Sequence, residues 1–229
     1  MNIPKYAFFD LDGTLYPYDA AHVPAQNELI YFLSSNLKLE SSLVKNGLLI
    51  ARQQVKNRLG NVAASHSRLL YISEFLTTQG FSSKPSFVLS AEQIYWKTFL
   101  TNMKLYDGVE DFLSLLRLKR VCTFLVTDLT TAIQCRKIGW LGLDNYFDVI
   151  VTSEQSGGDK VTGLPEAYIA ELIENDEPLG WSIGDQDWDH IFSATTKFFK
   201  IDSGSKKSVD RETLFQNYKQ LVDLLLKAD

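Results

Sequence analysis

The sequence predicts an α/β fold: a doubly wound, Rossmann-like parallel sheet forms the core, and an all-helical domain is inserted into it. Three observations support this prediction. Short apolar runs alternate with helical segments, as in proteins built on a parallel sheet. Each apolar run ends in acidic or hydroxyl residues. The long region between the first two runs has helical periodicity alone.

The first apolar run extends from Tyr6 to Phe9 and suits a strand that is covered on both faces. It stops at Asp10, so this carboxylate should lie at the carboxyl end of the strand, where α/β sheets bind ligands. Asp12 follows one residue later. Two such acids can share a metal-centred pocket, one as nucleophile or ligand and the other as proton donor. The Asp12-Gly13 step alone would also fit an ordinary turn.

Three later apolar runs, over residues 121–126, 147–151 and 181–183, also lead into polar residues. The residues of interest after these runs are Thr127 and Asp128, then Lys160, and then Asp185 and Asp189. Parallel strands present their carboxyl ends at one edge of a sheet, so we expect all these side chains to meet there. Packed carboxylates raise one another's pKa, and a hard cation removes that penalty. An all-oxygen set suits Mg²⁺ better than zinc.

The run Asp10-Leu11-Asp12-Gly13-Thr14 resembles the first signature of the haloacid dehalogenase-like hydrolases, which are mostly magnesium-dependent phosphatases. Thr127-Asp128 resembles the second signature of that family. The segment 152–160, which ends at Lys160, resembles the third, and the segment 184–189 matches the fourth, Gly-Asp-x-x-x-Asp. The resemblance therefore extends from Tyr6 to about Asp189, with four motifs in the family's order.

The resemblance implies a role for each motif residue. Asp10 would attack phosphorus, and Asp12 would protonate the leaving group and then activate water. Thr127 would donate a hydrogen bond to a phosphate oxygen, with Asp128 beside it, and Lys160 would neutralise the nucleophile and the phosphate. The implied magnesium ligands are Asp10, Asp12, Asp185 and Asp189.

Two departures from the family pattern affect the third and fourth motifs. The family usually places Pro directly after the signature Lys, whereas residues 161–164 separate Lys160 from Pro165 here. Because the lysine stem is long and flexible, we expect Lys160 to reach the site nevertheless. The usual Gly-Ala step after Asp189 is also missing.

Residues 16–104 are predicted to form the helical cap, and residues 1–15 and 105–229 the α/β phosphatase core. An insertion of this length is too long for a loop. An amphipathic stripe comprises Val44, Leu48, Ala51, Val55 and Leu59. Ser90 and Gln93 have the form of a capping box that would open a helix over 91–100.

In the core, helical spacing predicts a helix from Val109, Phe112, Leu113 and Leu116 and a last helix from Leu214, Tyr218, Leu221 and Leu225. The segment 203–208 is predicted to be a short polar loop.

A cap could close over the site, exclude water and recognise the rest of the substrate. The candidate recognition residues are Arg52, Arg58, Arg68, His66, Tyr95 and Trp96, with the segment 64–68 favoured. Each also fits an ordinary surface or core position, since exposed arginines are usually solvated or paired and helical aromatic residues usually pack.

Composition limits the classes of function. Of 229 residues, 45% are apolar and 22% are charged, which is typical of a soluble globular protein. The net charge of −5 does not predict binding to nucleic acid or to an anionic membrane, because both attract proteins with an excess of positive charge. No apolar run approaches the ~20 residues of a membrane span, and the start does not resemble a signal peptide. Cys122 and Cys135 are predicted to be buried thiols in a reducing, cytoplasmic compartment.

The function predicted is a Mg²⁺-dependent phosphatase that hydrolyses a small phosphorylated metabolite, a nucleotide monophosphate or a sugar phosphate, through an aspartyl-phosphate. A sugar-phosphate mutase or another hydrolase of the family, such as a dehalogenase, is an alternative. Asp12 argues against dehalogenation, which needs neither that acid nor a metal. A non-catalytic binding protein is a third possibility, and the presence of every motif residue disfavours it. The oligomeric state is not predicted.

Overall fold

The structure is a computed structural model, and it describes residues 3–173, 177–201, 214, 215 and 217–227. The chain forms two compact units. One comprises Met1–Pro17 and Lys104–Asp229, and the other comprises Tyr18–Met103. The first unit contains a sheet with helices, and the second contains helices only.

The helical unit is built from four long helices. They are α1 (Tyr18–Leu37), α2 (Ser41–Leu59), α3 (Arg68–Thr78) and α4 (Pro85–Thr101). A short 3₁₀ turn, Ala63–His66, lies between α2 and α3. Helix α1 packs mainly against α4, and α2 packs mainly against α3. The predicted stripe on α2 is buried from Val44 to Val55, whereas Leu59, at the end of the helix, is exposed.

Helix α4 begins earlier than the capping-box pattern at Ser90 predicts. Its first residue is Pro85, so Ser90 lies inside the helix. The Ser90 hydroxyl donates a hydrogen bond to the Ser86 carbonyl, 2.9 Å away. Proline is pre-organised for the first helical position, and a serine inside a helix can bond the carbonyl four residues back. The prediction of a helix start at Ser90 was therefore wrong.

The other unit contains a six-stranded parallel sheet. Its strands are β1 (Tyr6–Phe9), β2 (Cys122–Thr127), β3 (Val149–Thr152), β4 (Gly180–Gly184), β5 (Thr196–Ile201) and β6 (Leu214–Phe215). Their order is β3-β2-β1-β4-β5-β6, so the chain runs from the centre to one side and then to the other. The predicted doubly wound α/β fold is confirmed. The carboxyl ends of β1, β2, β3 and β4 therefore lie along one edge, beside a switch in strand order.

Five helices accompany the sheet in the described part of this unit. They are α5 (Val109–Leu118), α6 (Thr131–Trp140), α7 (Ser153–Ser156), α8 (Leu164–Leu172) and α9 (Tyr218–Leu226). All of β1 is buried. One core cluster joins Phe8 to Phe124 and Val126 of β2 and to Ile169 of α8. Burial on both faces explains why these strands are continuous apolar runs rather than alternating ones.

The last helix is shorter than predicted. Leu214 belongs to β6, whereas Tyr218, Leu221 and Leu225 form the buried face of α9. The Asn217 side chain accepts a hydrogen bond from the Gln220 amide and so caps α9 at its start. This cap separates Leu214 from the helix that its spacing suggested. The predicted polar loop over 203–208 lies outside the described residues.

The two cysteines differ in burial. Cys122 is half-buried at the start of β2, and Cys135 is exposed on α6, so the prediction of two buried thiols was wrong. The buried residues of that helix are Gln134, Lys137 and Ile138, and Cys135 lies off the face that they form. Within the described ranges, none of the helices combines the length and apolar character that a membrane span requires.

Candidate active site

The loop after β1 carries the two acids of the first motif. The Asp10 amide donates to the Ile183 carbonyl of β4 at 2.9 Å, so the neighbouring strand fixes the backbone where Asp10 begins the loop. The Thr14 hydroxyl donates to Asp10 Oδ2, also at 2.9 Å. Gly13 has a φ of +90°, and a Cβ there would lie 2.7 Å from Asp185 Oδ2. Only glycine allows this loop to turn so close to Asp185.

A second loop, after β4, carries the acids of the fourth motif. Asp189 Oδ2 accepts hydrogen bonds from the amides of Asp185 at 3.1 Å and Gln186 at 2.9 Å. The Gln186 side chain in turn donates to Asp185 Oδ2 at 2.7 Å. A Cβ on Gly184 would lie 2.1 Å from the Asp189 Cβ. The glycine of the motif therefore lets the loop fold back on itself and hold both acids at the end of β4.

These loops bring together three carboxylates that could hold a metal ion. Asp10, Asp185 and Asp189 each offer an oxygen, and the three oxygens lie within 4.8 Å of one another. Burial raises the pKa of Asp10 well above its ordinary value; the carboxylates of Asp189 and Asp185 add to this rise, and Lys160 opposes it. A small, hard cation would relieve this repulsion, and the all-oxygen donor set fits Mg²⁺.

Lys160 lies against the same carboxylates. Its Nζ is 2.5 Å from Asp10 Oδ1 and 2.6 Å from Asp189 Oδ1, and the residue is buried. Burial lowers the pKa of Lys160, but the charges of Asp10 and Asp189 raise it well above its ordinary value. The ammonium group is therefore charged, and it offsets part of the negative charge of the site.

The four residues between Lys160 and Pro165 form a compact turn. Residues Lys160–Thr162 are a 3₁₀ turn, and Gly163, with a φ of +75°, starts α8 at Leu164. Residues 161–164, which depart from the family pattern, therefore follow Lys160 as a turn that leads into α8. The side chain still reaches Asp10.

The residues of the second motif lie at the end of β2. The Thr127 hydroxyl is buried and accepts a hydrogen bond of 2.6 Å from the Gln134 side chain. Asp128 Oδ1 accepts from the Lys160 amide at 2.9 Å and from the Ser153 hydroxyl at 3.2 Å. Through these two hydrogen bonds Asp128 stabilises the loop that carries Lys160.

Asp12 has a partner that the sequence did not reveal. Lys137 Nζ donates to both oxygens of the Asp12 carboxylate, at 2.6 and 2.9 Å, and the Tyr16 hydroxyl donates to it as well. The Asp12 side chain is thus held outside the carboxylate cluster of Asp10, Asp185 and Asp189. A helical lysine is normally assigned to the surface. In the structure Lys137 shares a helix face with the buried Gln134, three residues earlier, but nothing in the sequence marks either residue as buried.

The predicted cap residues fall into separate environments. Arg58 forms an exposed pair with Glu74, with 2.8 Å between Nη2 and Oε2. Trp96 packs edge-on against Tyr95 and Phe99. His66 Nδ1 lies 3.5 Å from Lys56 Nζ. Of the six candidates, Arg52 and Arg68 line a cavity of the helical unit.

A family model described as haloacid dehalogenase-like hydrolase matches residues 4–189, which include all four motifs. The chain belongs to this hydrolase family. The resemblance inferred from the motifs is confirmed, and so is the prediction that the protein is a hydrolase.

One curated relative of this hydrolase is the ribulose-1,5-bisphosphate 5-phosphatase of Halopiger xanaduensis. It is 35% identical over 159 residues, which cover 66% of this chain and 64% of the relative. The matched region thus spans slightly less than two thirds of that protein.

Solved structures share the fold at lower identity. A 2-haloacid dehalogenase from Pseudomonas syringae superposes with a TM-score of 0.70 at 20% identity, and a phosphatase of the family from Thermococcus onnurineus with 0.69 at 17%. The hydrolase YfnB of Bacillus subtilis, solved bound to magnesium, gives 0.67 at 20%. Each comparison covers 98% of this chain and 99% of the other. At these identities the similarity establishes the fold and not the reaction.

Proposed function

We propose that this hydrolase is a magnesium-dependent phosphatase that cleaves a small phosphorylated metabolite through an aspartyl-phosphate. The observation that carries the proposal is the buried Asp10 carboxylate, which lies beside Lys160 and within a cluster formed with Asp185 and Asp189. The name of the curated relative favours a sugar phosphate over a nucleotide as the substrate class.

Asp10, Asp185 and Asp189 would hold the magnesium ion, whose charge offsets the negative charge of the phosphoryl group and the carboxylates. The protein's own groups orient the nucleophile. Thr14 donates to one oxygen of Asp10, and Lys160 contacts the other. These two contacts fix the carboxylate for in-line attack on phosphorus. As the bond from Asp10 forms, the bond from phosphorus to the leaving oxygen breaks.

Asp12 is the proposed acid and base. It would give a proton to the departing alkoxide in the first step and take one from water in the second. Lys137 and Tyr16 hold its carboxylate in one orientation. The Thr127 hydroxyl, at the end of β2, would donate to a phosphate oxygen while it accepts from Gln134.

Dehalogenases among the structural neighbours share the fold alone, because their identity to this chain is low. The second acid at Asp12 and the three-carboxylate cluster both favour phosphoryl transfer. The mutase alternative has no observation in its favour, and the full set of motif residues disfavours a non-catalytic role.

Phosphate release should be measured over nucleotide monophosphates, sugar monophosphates and sugar bisphosphates, with Mg²⁺ and then with chelator. We expect turnover with Mg²⁺, its loss with chelator, and a loss of at least about 10³-fold in Asp10→Asn. The matched control is Asp111→Asn, which changes an exposed acid on α5 and should leave turnover intact. Undiminished release from Asp10→Asn would overturn the proposal.

A further inference from the structure

The helical unit contains a cavity of about 330 Å³ between α1, α2 and α3. Its polar and aromatic lining includes Tyr18, His22, Lys45, Arg52, Arg68 and Tyr71. A cavity of this volume can hold the charged end of a small metabolite. The site described above uses none of these residues.

Arg68, at the start of α3, is the unusual residue of this cavity. Its Nη2 donates to the Tyr18 hydroxyl at 3.2 Å and to the Tyr95 hydroxyl at 3.1 Å. Its Nε is buried and has no hydrogen-bond partner. Among the residues that the structure describes, no carboxylate pairs with Arg68. The Arg68 residue as a whole is half-buried, and its guanidinium lies over the rings of Tyr71 and Tyr95. A partly buried guanidinium with no carboxylate beside it favours a negatively charged partner from outside the chain.

The rest of the cavity has the charge that an anion requires. Lys45 and Arg52 contribute two further cations, and no Asp or Glu is among the lining residues, all of which are described. Burial and the charge of Arg68 lower the pKa of His22 to about 4. His22 is therefore neutral at pH 7, and its Nδ1 lies 2.8 Å from the Tyr95 hydroxyl, which also contacts Arg68.

We propose that this cavity is an anion-binding site that takes a phosphate or carboxylate group of a small metabolite, with Arg68 as the principal ligand. The planar guanidinium can present parallel N–H groups to two oxygens of such an anion, which a lysine cannot do. The site lies within the helical unit, so anion binding there does not depend on the proposed hydrolysis. The anion could be a second charged group of the substrate or a separate effector, and the kinetic test below distinguishes these sources.

The direct test is an NMR titration of the full chain with inorganic phosphate, following the arginine Nε–Hε resonances. The Arg68 signal is identified by its loss in Arg68→Gln, with Arg68→Lys as a second variant if the first does not fold. We expect a saturable shift of this signal, because its N–H has no partner before the anion binds. The Arg58 signal is the control, since that side chain is exposed and already paired with Glu74.

The kinetic test compares a sugar bisphosphate with the corresponding monophosphate, and it rests on the proposed function. If the anion belongs to the substrate, Arg68→Gln should lower kcat/KM about 10- to 100-fold on the bisphosphate and little on the monophosphate. If it belongs to an effector, added phosphate should alter turnover of nitrophenyl phosphate in the native chain and not in Arg68→Gln. Lys97→Gln, which removes an exposed cation from α4 of the same unit, should match the native chain throughout.

An Arg68 signal that does not move at saturating phosphate, together with equal kinetics of Arg68→Gln and the native chain on all substrates, would overturn the anion site. Absence of any turnover would instead contradict the phosphatase proposal, and the titration would still decide whether the anion site exists.

Discussion

At the scale of single residues, the contact between Asp12 and Lys137 has the clearest consequence for the reaction. The Lys137 side chain is fully buried, and both Asp12 oxygens accept from its ammonium. Moving either side chain away would leave the buried Lys137 ammonium without its partner, which is strongly unfavourable. The ion pair therefore holds both side chains in one position. Lys137 is thus a positioning residue for the proposed acid and base.

Replacing Lys137 with Met should lower kcat on an alkyl phosphate by about 10- to 100-fold while KM changes little, because the proton transfer step loses its alignment. The release of nitrophenol from a nitrophenyl ester in the first turnover should be nearly unchanged, since that leaving group needs no proton. Steady-state and rapid-mixing kinetics on both esters measure this difference.

The control for this prediction is Arg136→Met, which removes an exposed cation from the same helix. Equal losses on the two esters in Lys137→Met would show that Lys137 supports folding rather than the orientation of Asp12.

The motif residues could be predicted from the sequence, whereas their partners could not. Asp10, Asp185 and Asp189 each follow an apolar strand at a fixed spacing, and that local pattern identifies them. Lys137 is separated from Asp12 by more than a hundred residues, and no local pattern connects the two. Its burial depends on the ion pair, which only the folded chain reveals.

At the scale of elements, α9 supports the loop that carries the first motif. The Tyr218 hydroxyl donates a hydrogen bond of 2.9 Å to the Thr14 carbonyl, and the contact is buried. Thr14 in turn donates to Asp10. The last helix therefore stabilises the loop of the proposed nucleophile through one backbone carbonyl.

Tyr218→Phe should lower the free energy of unfolding by about 1–2 kcal/mol, because the Thr14 carbonyl stays buried without its donor. Denaturant unfolding measures this loss. Tyr31→Phe is the matched control, since the Tyr31 side chain is largely exposed and its hydroxyl should contribute little. A Tyr218→Phe protein as stable as the control would show that the hydrogen bond does not support the loop.

Element types were predictable where one physical signal dominated. The buried strands are apolar runs, and the stripe of α2 repeats at helical spacing, so both were predicted correctly. The start of α4 was misplaced because Ser90 has the composition of a cap, while Pro85 sets the true start. Leu214 fits the helical spacing of α9 and yet pairs with β5, since strand pairing is a long-range interaction.

At the scale of the whole molecule, strand order explains how distant segments form one site. The central strand β1 lies between β2 and β4, so Asp10 comes next to residues from the second and fourth motifs. The parallel arrangement places the ends of these strands at one edge, which the sequence was sufficient to predict. The cavity around Arg68 could not be predicted, because it depends on side chains from three helices.

The central claim is that Asp10 becomes phosphorylated during turnover. In Asp12→Asn the phosphoryl group should still transfer from a nitrophenyl ester, because nitrophenolate leaves without a proton. The aspartyl-phosphate should then persist, since the base that activates water is missing. We expect a burst of about one equivalent of nitrophenol per site followed by slow turnover. Acid quenching and peptide mass analysis should locate one phosphoryl group on Asp10. A phosphoryl group on another residue, or continued rapid turnover with no phosphorylated peptide, would contradict the claim.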